Sequence, residues 1–167
     1  LTSYLIGAYV LALVVGALLL PVVTKWVSPR WALVGASLLV ASGYLLFLPL
    51  HSTYVQTVTN MVIAGIGSGA LVAALPAAAA AAAPMGQTGV ATGLTNSVKT
   101  VGGSIASAVF GIALATHAAD AVQGTAGSFS GYVTVWVVCG VTALVAAVAL
   151  LFVPRAAFSD QGGPPAL

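Results

Sequence analysis

Long apolar stretches dominate this chain, and short segments rich in proline, glycine or polar residues separate them. A helix needs about 20 predominantly apolar residues to cross a bilayer. The pattern therefore predicts five transmembrane helices, at about residues 1–27, 31–50, 54–83, 88–118 and 131–153. The expected fold class is an all-α membrane protein, with a membrane domain over residues 1–154.

Prolines and loop residues divide these stretches. The first apolar stretch stops before Pro29, because proline disfavours helix in the residue that precedes it. Pro49 closes the second stretch, which has barely the length to cross, and Pro84 closes the third. Residues 119–130 are predicted to form a loop. Residues 155–167, with two glycines and two prolines, are predicted to form a disordered cytoplasmic tail.

Composition supports the membrane interpretation. The chain is 60% hydrophobic and 4% charged, and a net charge of +2 gives no reason to expect a nucleic-acid partner. Too few polar residues are present to cover a soluble globule. Cys139 is the single cysteine and is expected to be a packing residue. The chain starts at Leu1 with no signal-peptide pattern, so we expect a piece of a longer protein.

Basic residues predict the orientation. Lys25 and Arg30 lie between the first two apolar stretches, and Arg155 follows the fifth. The loops around His51 and Asp120 contain no Lys or Arg. Because basic residues near short loops mark the cytoplasmic side, the amino end is predicted outside and the carboxyl end in the cytoplasm.

The fourth stretch has two contrasting faces. Its small and polar residues fall three or four apart on one face: Gly89, Thr92, Asn96, Lys99, Gly103, Ser107 and Gly111. Its large apolar residues share another: Val90, Leu94, Val98, Val101, Ile105, Val109 and Ile112. This pattern predicts a helix with a lipid side and a side turned to protein or water.

Lys99 is the one charged residue well inside an apolar stretch. A charge there costs at least about 2.5 kcal/mol unless it is paired, reaches the interface or meets water. Three roles stay open: a snorkelling side chain, helix contacts or gating, and direct contact with a ligand. Asn60 and Asn96 each need hydrogen-bond partners, from another helix or from a substrate.

The third stretch is rich in glycine and contains a proline. Gly65 and Gly69 form a G-x-x-x-G pair, with Gly67 between them and Pro76 about two helical turns beyond Gly69. Small residues at this spacing let membrane helices approach closely, and proline with nearby glycines favours a bend. Helix packing and a conformational hinge are the two alternatives.

The sequence shows no recognisable arrangement of catalytic residues. No Asp or Glu lies inside an apolar stretch, so no carboxylate relay for protons is visible. No nucleophile with base and acid, no phosphate loop and no metal-ligand cluster is recognisable. We therefore predict no enzyme activity, no cofactor and no metal, and we expect His51 and His117 to be ordinary loop residues.

Residues 65–103 resemble a known family. The stretch contains Gly65-Ile-Gly-Ser-Gly69, Pro76, a turn from Pro84 to Gly89, and Gly93-Leu-Thr-Asn-Ser-Val-Lys-Thr-Val-Gly-Gly103. It resembles the major facilitator superfamily, specifically its drug:proton antiporter-2 branch with fourteen helices. That branch has a glycine-rich helix, a proline-bounded cytoplasmic turn, and then Gly-Leu-x-Asn, a basic residue and Gly-Gly. Lys99 stands where the family more often has arginine, and the resemblance covers essentially residues 1–154.

The resemblance implies a position in a larger transporter. The five helices match the last five of the family, forming most of its C-terminal half, with the first, third and fourth turned to a central cavity. Its implied partners are the lipid bilayer of a bacterial inner (plasma) membrane, the missing N-terminal helices, a small-molecule substrate and protons. Candidates for the substrate cavity or gate are Tyr9, Asn60, Asn96, Lys99 and Gly103.

The expected function is export of small, often amphipathic or cationic molecules such as drugs or antibiotics, by proton antiport with alternating access. The alternative from another class is a non-transporting membrane scaffold or assembly subunit. A membrane-embedded enzyme comes third, because no catalytic constellation is visible.

Overall fold

The computed structural model describes residues 2–116 and 129–153. The described residues form five helices: α1 Thr2–Val23, α2 Pro29–Leu45, α3 Tyr54–Ala82, α4 Thr88–Thr116 and α5 Phe129–Phe152. The all-α membrane fold expected from the sequence is thereby confirmed. His117, most of the expected loop at residues 119–130 and the expected tail at residues 155–167 lie outside the described residues.

Four of the five described helices, α1, α3, α4 and α5, are long and apolar enough to cross a membrane. α2 has 17 residues, which is roughly 25 Å of helix against a hydrocarbon core of about 30 Å. Its chain continues beyond the helix in hydrogen-bonded turns, with the Leu46 N–H on Ser42 O and the Leu50 N–H on Leu46 O, both at 2.9 Å. The expected crossing at residues 31–50 stays a prediction.

α1 ends at Val23, earlier than the expected residue 27. The Thr24 hydroxyl donates to Leu20 O at 3.0 Å, and residues 24–27 follow as turns. Pro29 is a first-turn residue of α2, where its missing N–H costs nothing because no helical acceptor precedes it. The proline therefore marks the start of α2, and α1 has already ended.

Local signals fix both ends of α3. At its start the Gln56 side chain accepts the Thr53 N–H at 3.2 Å, one half of a capping box that satisfies free amide groups of the first turn. At its end the helix stops at Ala82, two residues before Pro84. The turn into α4 contains Gly86 with φ of 81°, a left-handed conformation that glycine adopts without steric cost.

The helices pack around α3 and α2. α1 packs on α3, α2 packs between α3 and α5, and α4 makes the thinnest contacts, with α3 and α5. The buried apolar residues are mostly alanines, among them Ala12, Ala36, Ala41 and Ala64. Membrane helices associate through close approach of small residues, and this core follows that rule.

Glycines of α3 form contact points on two opposite sides. A Cβ added to Gly69 would lie 1.9 Å from Leu13 O of α1, and one added to Gly65 would lie 2.8 Å from the Ala12 Cβ. A Cβ added to Gly67 would lie 2.6 Å from Ala36 O of α2. All three glycines thus sit where a neighbouring backbone passes too closely for any side chain. The hinge alternative stays a prediction.

α2 and α5 are connected at both of their ends. At the end of the bundle that holds Lys25, here named the Lys25 end, the Arg30 guanidinium donates to Leu151 O in the last turn of α5. A cation there suits the negative end of the helix dipole. At the opposite end, named the His51 end, Phe47 stacks on Trp136 with ring centroids 4.9 Å apart.

Candidate functional site

α4 is the least covered of the described helices. Ala113 is its one buried residue within residues 2–116 and 129–153. There, near the His51 end, α4 and α5 lie close, since a Cβ on Gly131 would be 3.2 Å from the Leu114 Cδ2. Elsewhere along α4, two cavities open between it and the other helices.

The larger of these, named the Lys99 cavity, has a volume of about 640 Å³. It lies between the second half of α3 and the first half of α4, with Leu33 of α2 and Leu150 of α5 completing its wall. The cavity is therefore in the half of the bundle nearer the Lys25 end. Ligand sites for drug-sized molecules span about 300–1,000 Å³, so the Lys99 cavity has a matching size.

The walls of the Lys99 cavity are hydrocarbon except on α4, where Thr95, Asn96 and Lys99 line it. The Thr95 hydroxyl is already engaged, because it donates to Ala91 O at 2.8 Å. The Asn96 amide and the Lys99 ammonium have no hydrogen-bond partner within the described part of the chain. The cavity thus combines an apolar wall with one cation and one free amide.

Lys99 lies about three turns into α4, and its side chain is exposed in the described structure. Counting from Thr88 at about 1.5 Å per residue, it is roughly 16 Å along the helix axis, which is further than a lysine side chain reaches. The two acidic residues of the sequence, Asp120 and Asp160, both lie outside the described residues. No ion pair of Lys99 is formed within residues 2–116 and 129–153, and the ammonium faces the cavity unpaired.

Pro76 adds a backbone acceptor to the same region. Proline has no N–H, so the carbonyl oxygen of Val72 receives no helical hydrogen bond. Val72 and Pro76 both line the Lys99 cavity. In a membrane, such freed backbone groups persist where they meet protein, water or ligand.

The second cavity, of about 430 Å³, lies between α2, α4 and α5. Ile105 and Val109 line it together with Tyr44 and Cys139. The sequence pattern placed Ile105 and Val109 on the large apolar face; they are 60% and 38% exposed in the described structure, and the expected lipid side stays a prediction. Ala113, the buried residue of α4, lies between the polar face and the large apolar face of the helix. Residues of the polar face line the Lys99 cavity, and residues of the large apolar face line the second cavity.

Tyr9 lines a separate cavity of about 240 Å³ at the α1, α2 and α3 contact, near the His51 end. Tyr44 of α2 lines the same cavity. The structure therefore does not bring Tyr9 together with Lys99. The sequence analysis missed Tyr44, because a single tyrosine near the end of an apolar stretch does not indicate which residue of another helix lies beside it.

Asn60 is 1% exposed, and its amide donates to Leu50 O at 2.8 Å. The bond ties the first half of α3 to the chain that leaves α2. Asn60 lines neither of the two cavities beside α4. We therefore assign Asn60 a structural role and leave it out of the proposed substrate site.

Gly103 faces open space among the described residues: a Cβ added there would meet nothing within 4 Å. The same holds for Gly89, Gly93, Gly102 and Gly111, so the whole glycine series of α4 lacks a neighbour in the described structure. Of the five cavity candidates, Asn96 and Lys99 come together in one cavity. Tyr9, Asn60 and Gly103 lie elsewhere.

Groups of His, Cys, Asp and Glu able to hold a metal ion are not found among the described residues. Cys139 is half-buried on α5 and unbonded. The chemistry of the Lys99 cavity is thus that of a binding site, with a cation, an amide and an apolar wall.

Four helices apolar enough to cross a membrane, with a drug-sized cavity between α3 and α4, are typical of a multi-pass helical membrane protein. The chain belongs to the Major Facilitator Superfamily, whose family model matches residues 1–166. No curated protein and no solved structure matches the chain. The resemblance drawn from Gly65 to Gly103 is confirmed at the level of the superfamily.

Proposed function

We propose that this chain is part of a drug:proton antiporter-2 type transporter that exports small molecules across the cell membrane in exchange for protons, by alternating access. The observation that carries the proposal is the Lys99 cavity. On a membrane-crossing helix, a charged and an amide side chain line a cavity of ligand-binding size whose opposite wall is apolar. An intramembrane charge of this kind is expected to have a function, because it is costly to retain.

The uncovered surface of α4 supports the alternating-access part of the proposal. Its glycines lack neighbours in the described structure, Asn96 and Lys99 are exposed there, and polar surface of this kind is poorly suited to lipid. We propose that further helices, on the amino-terminal side of this chain in the same transporter, cover that surface and rock against it. The acid that couples proton movement would lie on those helices.

The orientation is proposed from charge. Lys25 and Arg30 lie at the Lys25 end of the bundle, where short basic loops indicate the cytoplasm. The Lys99 cavity is in the same half of the bundle. A cytoplasmic opening there would load substrate from inside the cell, as export requires.

The test is efflux of a fluorescent dye from cells that express the full-length protein. Lys99→Leu should lower the efflux rate about tenfold, since a charged contact is worth roughly 1.5–3 kcal/mol and about 1.4 kcal/mol is a factor of ten. Lys99→Arg keeps the charge and should retain most of the rate. Adding a protonophore should stop efflux in the parent.

The matched control is Val101→Ile on the same helix, whose side chain is 59% exposed and lines neither cavity beside α4. It should leave the rate unchanged at equal expression. Efflux that survives the protonophore would contradict proton antiport. Absence of efflux for every dye tested would favour the scaffold alternative.

A further inference from the structure

We infer that the Lys99 cavity binds an amphipathic organic anion, a molecule with one carboxylate or sulfonate and an apolar body. The inference rests on the proposed transport function and narrows it to a substrate class. It also reverses the sign of charge in the expectation of cationic molecules drawn from the sequence.

The charge of the cavity is the first argument. Its lining residues include one cation, Lys99, and no acid. An ammonium beside an apolar wall in a membrane is stabilised by an opposite charge and destabilised by a second positive one, and both effects grow as water is excluded. A cationic substrate would meet repulsion there, whereas an anion would supply the counter-charge that the described residues do not.

The geometry of the polar groups is the second argument. Asn96 and Lys99 are adjacent positions on one flank of α4, and both side chains line the cavity. Lysine has three N–H donors and an asparagine amide has two. Two neighbouring donors fit the two or three oxygens of one carboxylate or sulfonate, and charge-assisted hydrogen bonds of this type are the strong ones.

The opposite wall is the third argument. Its side chains Leu33, Leu71, Leu75, Pro76 and Leu150 are all hydrocarbon, and its polar backbone group is the Val72 carbonyl described above. Burial against such side chains stabilises an apolar ligand body, and a carbonyl oxygen offers no hydrogen bond to a second anionic group. The ligand class is therefore a molecule with its charge at one end.

The test uses two probes with the same aromatic body and opposite charge: pyrenebutyrate and its trimethylammonium analogue. Binding to the full-length protein is measured at equilibrium, in nanodiscs of neutral phosphatidylcholine. The parent should bind the anion at least about tenfold more tightly than the cation. Lys99→Gln should weaken anion binding about tenfold and leave cation binding equal or tighter, while Lys99→Arg should keep the preference.

Lys25→Gln is the matched control, since it removes the same charge from the exposed turn after α1. It should leave both affinities unchanged. Equal losses in Lys25→Gln and Lys99→Gln would assign the preference to general surface charge and overturn the inference. Equal affinity of the two probes in the parent, or equal loss of both in Lys99→Gln, would overturn it as well.

An anionic lipid offers the same chemistry as a soluble anion, so a second arm separates these sources. Nanodiscs containing phosphatidylglycerol should leave pyrenebutyrate affinity within about twofold of the neutral value. Competition by phosphatidylglycerol that disappears in Lys99→Gln would identify the site as a lipid site and overturn the substrate assignment. Proton-driven efflux of a cationic dye without anion preference would overturn this inference and leave the proposed transport function standing.

Discussion

Buried polar side chains show how differently single residues contribute to this membrane bundle. Asn60 and Ser37 are each 1% exposed. The Asn60 amide donates to Leu50 O, whereas the Ser37 hydroxyl has no hydrogen-bond partner in the described structure. Burying a polar group without a hydrogen-bond partner destabilises the folded protein, and a hydrogen bond offsets that cost. The two residues should therefore respond in opposite ways to truncation.

Asn60→Ala should destabilise the protein by about 1–3 kcal/mol, because Leu50 O loses its donor and a small void remains. Ser37→Ala should be neutral or stabilising by up to about 1 kcal/mol, since it removes an unsatisfied hydroxyl. Melting midpoints of the purified full-length protein in nanodiscs measure both. A lower midpoint for Ser37→Ala than for Asn60→Ala would show that these polar contacts are described wrongly.

At the level of helices, α3 holds the bundle together through its glycines. Gly69→Ala would place a methyl group 1.9 Å from Leu13 O on α1, a backbone atom that cannot move away alone. We expect a loss of about 1–3 kcal/mol of stability, seen as a lower melting midpoint and lower yield. Gly35→Ala is the control, because a Cβ at Gly35 would meet nothing within 4 Å.

The same pair of variants separates helix packing from a hinge. Gly35→Ala should stabilise α2 slightly, since alanine favours helix over glycine by up to about 1 kcal/mol. If α3 acts as a hinge at Gly69, Gly69→Ala would slow transport and leave the melting midpoint unchanged. That outcome would contradict the packing account of this glycine.

How far the sequence predicts this structure depends on whether the signal is local. Helix positions followed from apolar length and from prolines such as Pro84, and the start of α3 followed from its polar turn, because these signals act within a few residues. The end of α1 at Val23 could not be predicted in this way, because Pro29 marks the start of α2 and not the end of α1. Contacts between helices, such as Gly67 on Ala36, need the three-dimensional arrangement.

The candidate site shows the same limit. Asn96 and Lys99 were recognisable because polar residues inside an apolar stretch are costly. That Pro76 of α3 and Leu150 of α5 face them across one cavity could not be seen in the sequence. The sequence shows that α4 has a polar face and a large apolar face. Which part of α4 turns toward the bundle depends on the helices that pack against it.

At the scale of the whole bundle, the residues that the structure describes leave the α4 side uncovered, and the Lys25 end is proposed to face the cytoplasm. Cysteine labelling tests that orientation in a Cys139→Ala background. Ser52→Cys at the His51 end should react with an impermeant maleimide added to intact cells. Met85→Cys, on a fully exposed side chain between α3 and α4, should react only in inside-out vesicles. The reverse pattern would contradict the orientation.

The central claim is that the transported molecule binds in the Lys99 cavity. The direct measurement is the rate at which a maleimide alkylates Asn96→Cys in inside-out vesicles, with and without an exported dye. With dye at ten times its Kd, about one protein in eleven is unoccupied, so the rate should fall roughly tenfold. Val90→Cys, whose native side chain is 71% exposed and outside the cavity, should react at an unchanged rate. Equal rates with and without dye at Asn96→Cys, in a protein that still exports it, would contradict the account.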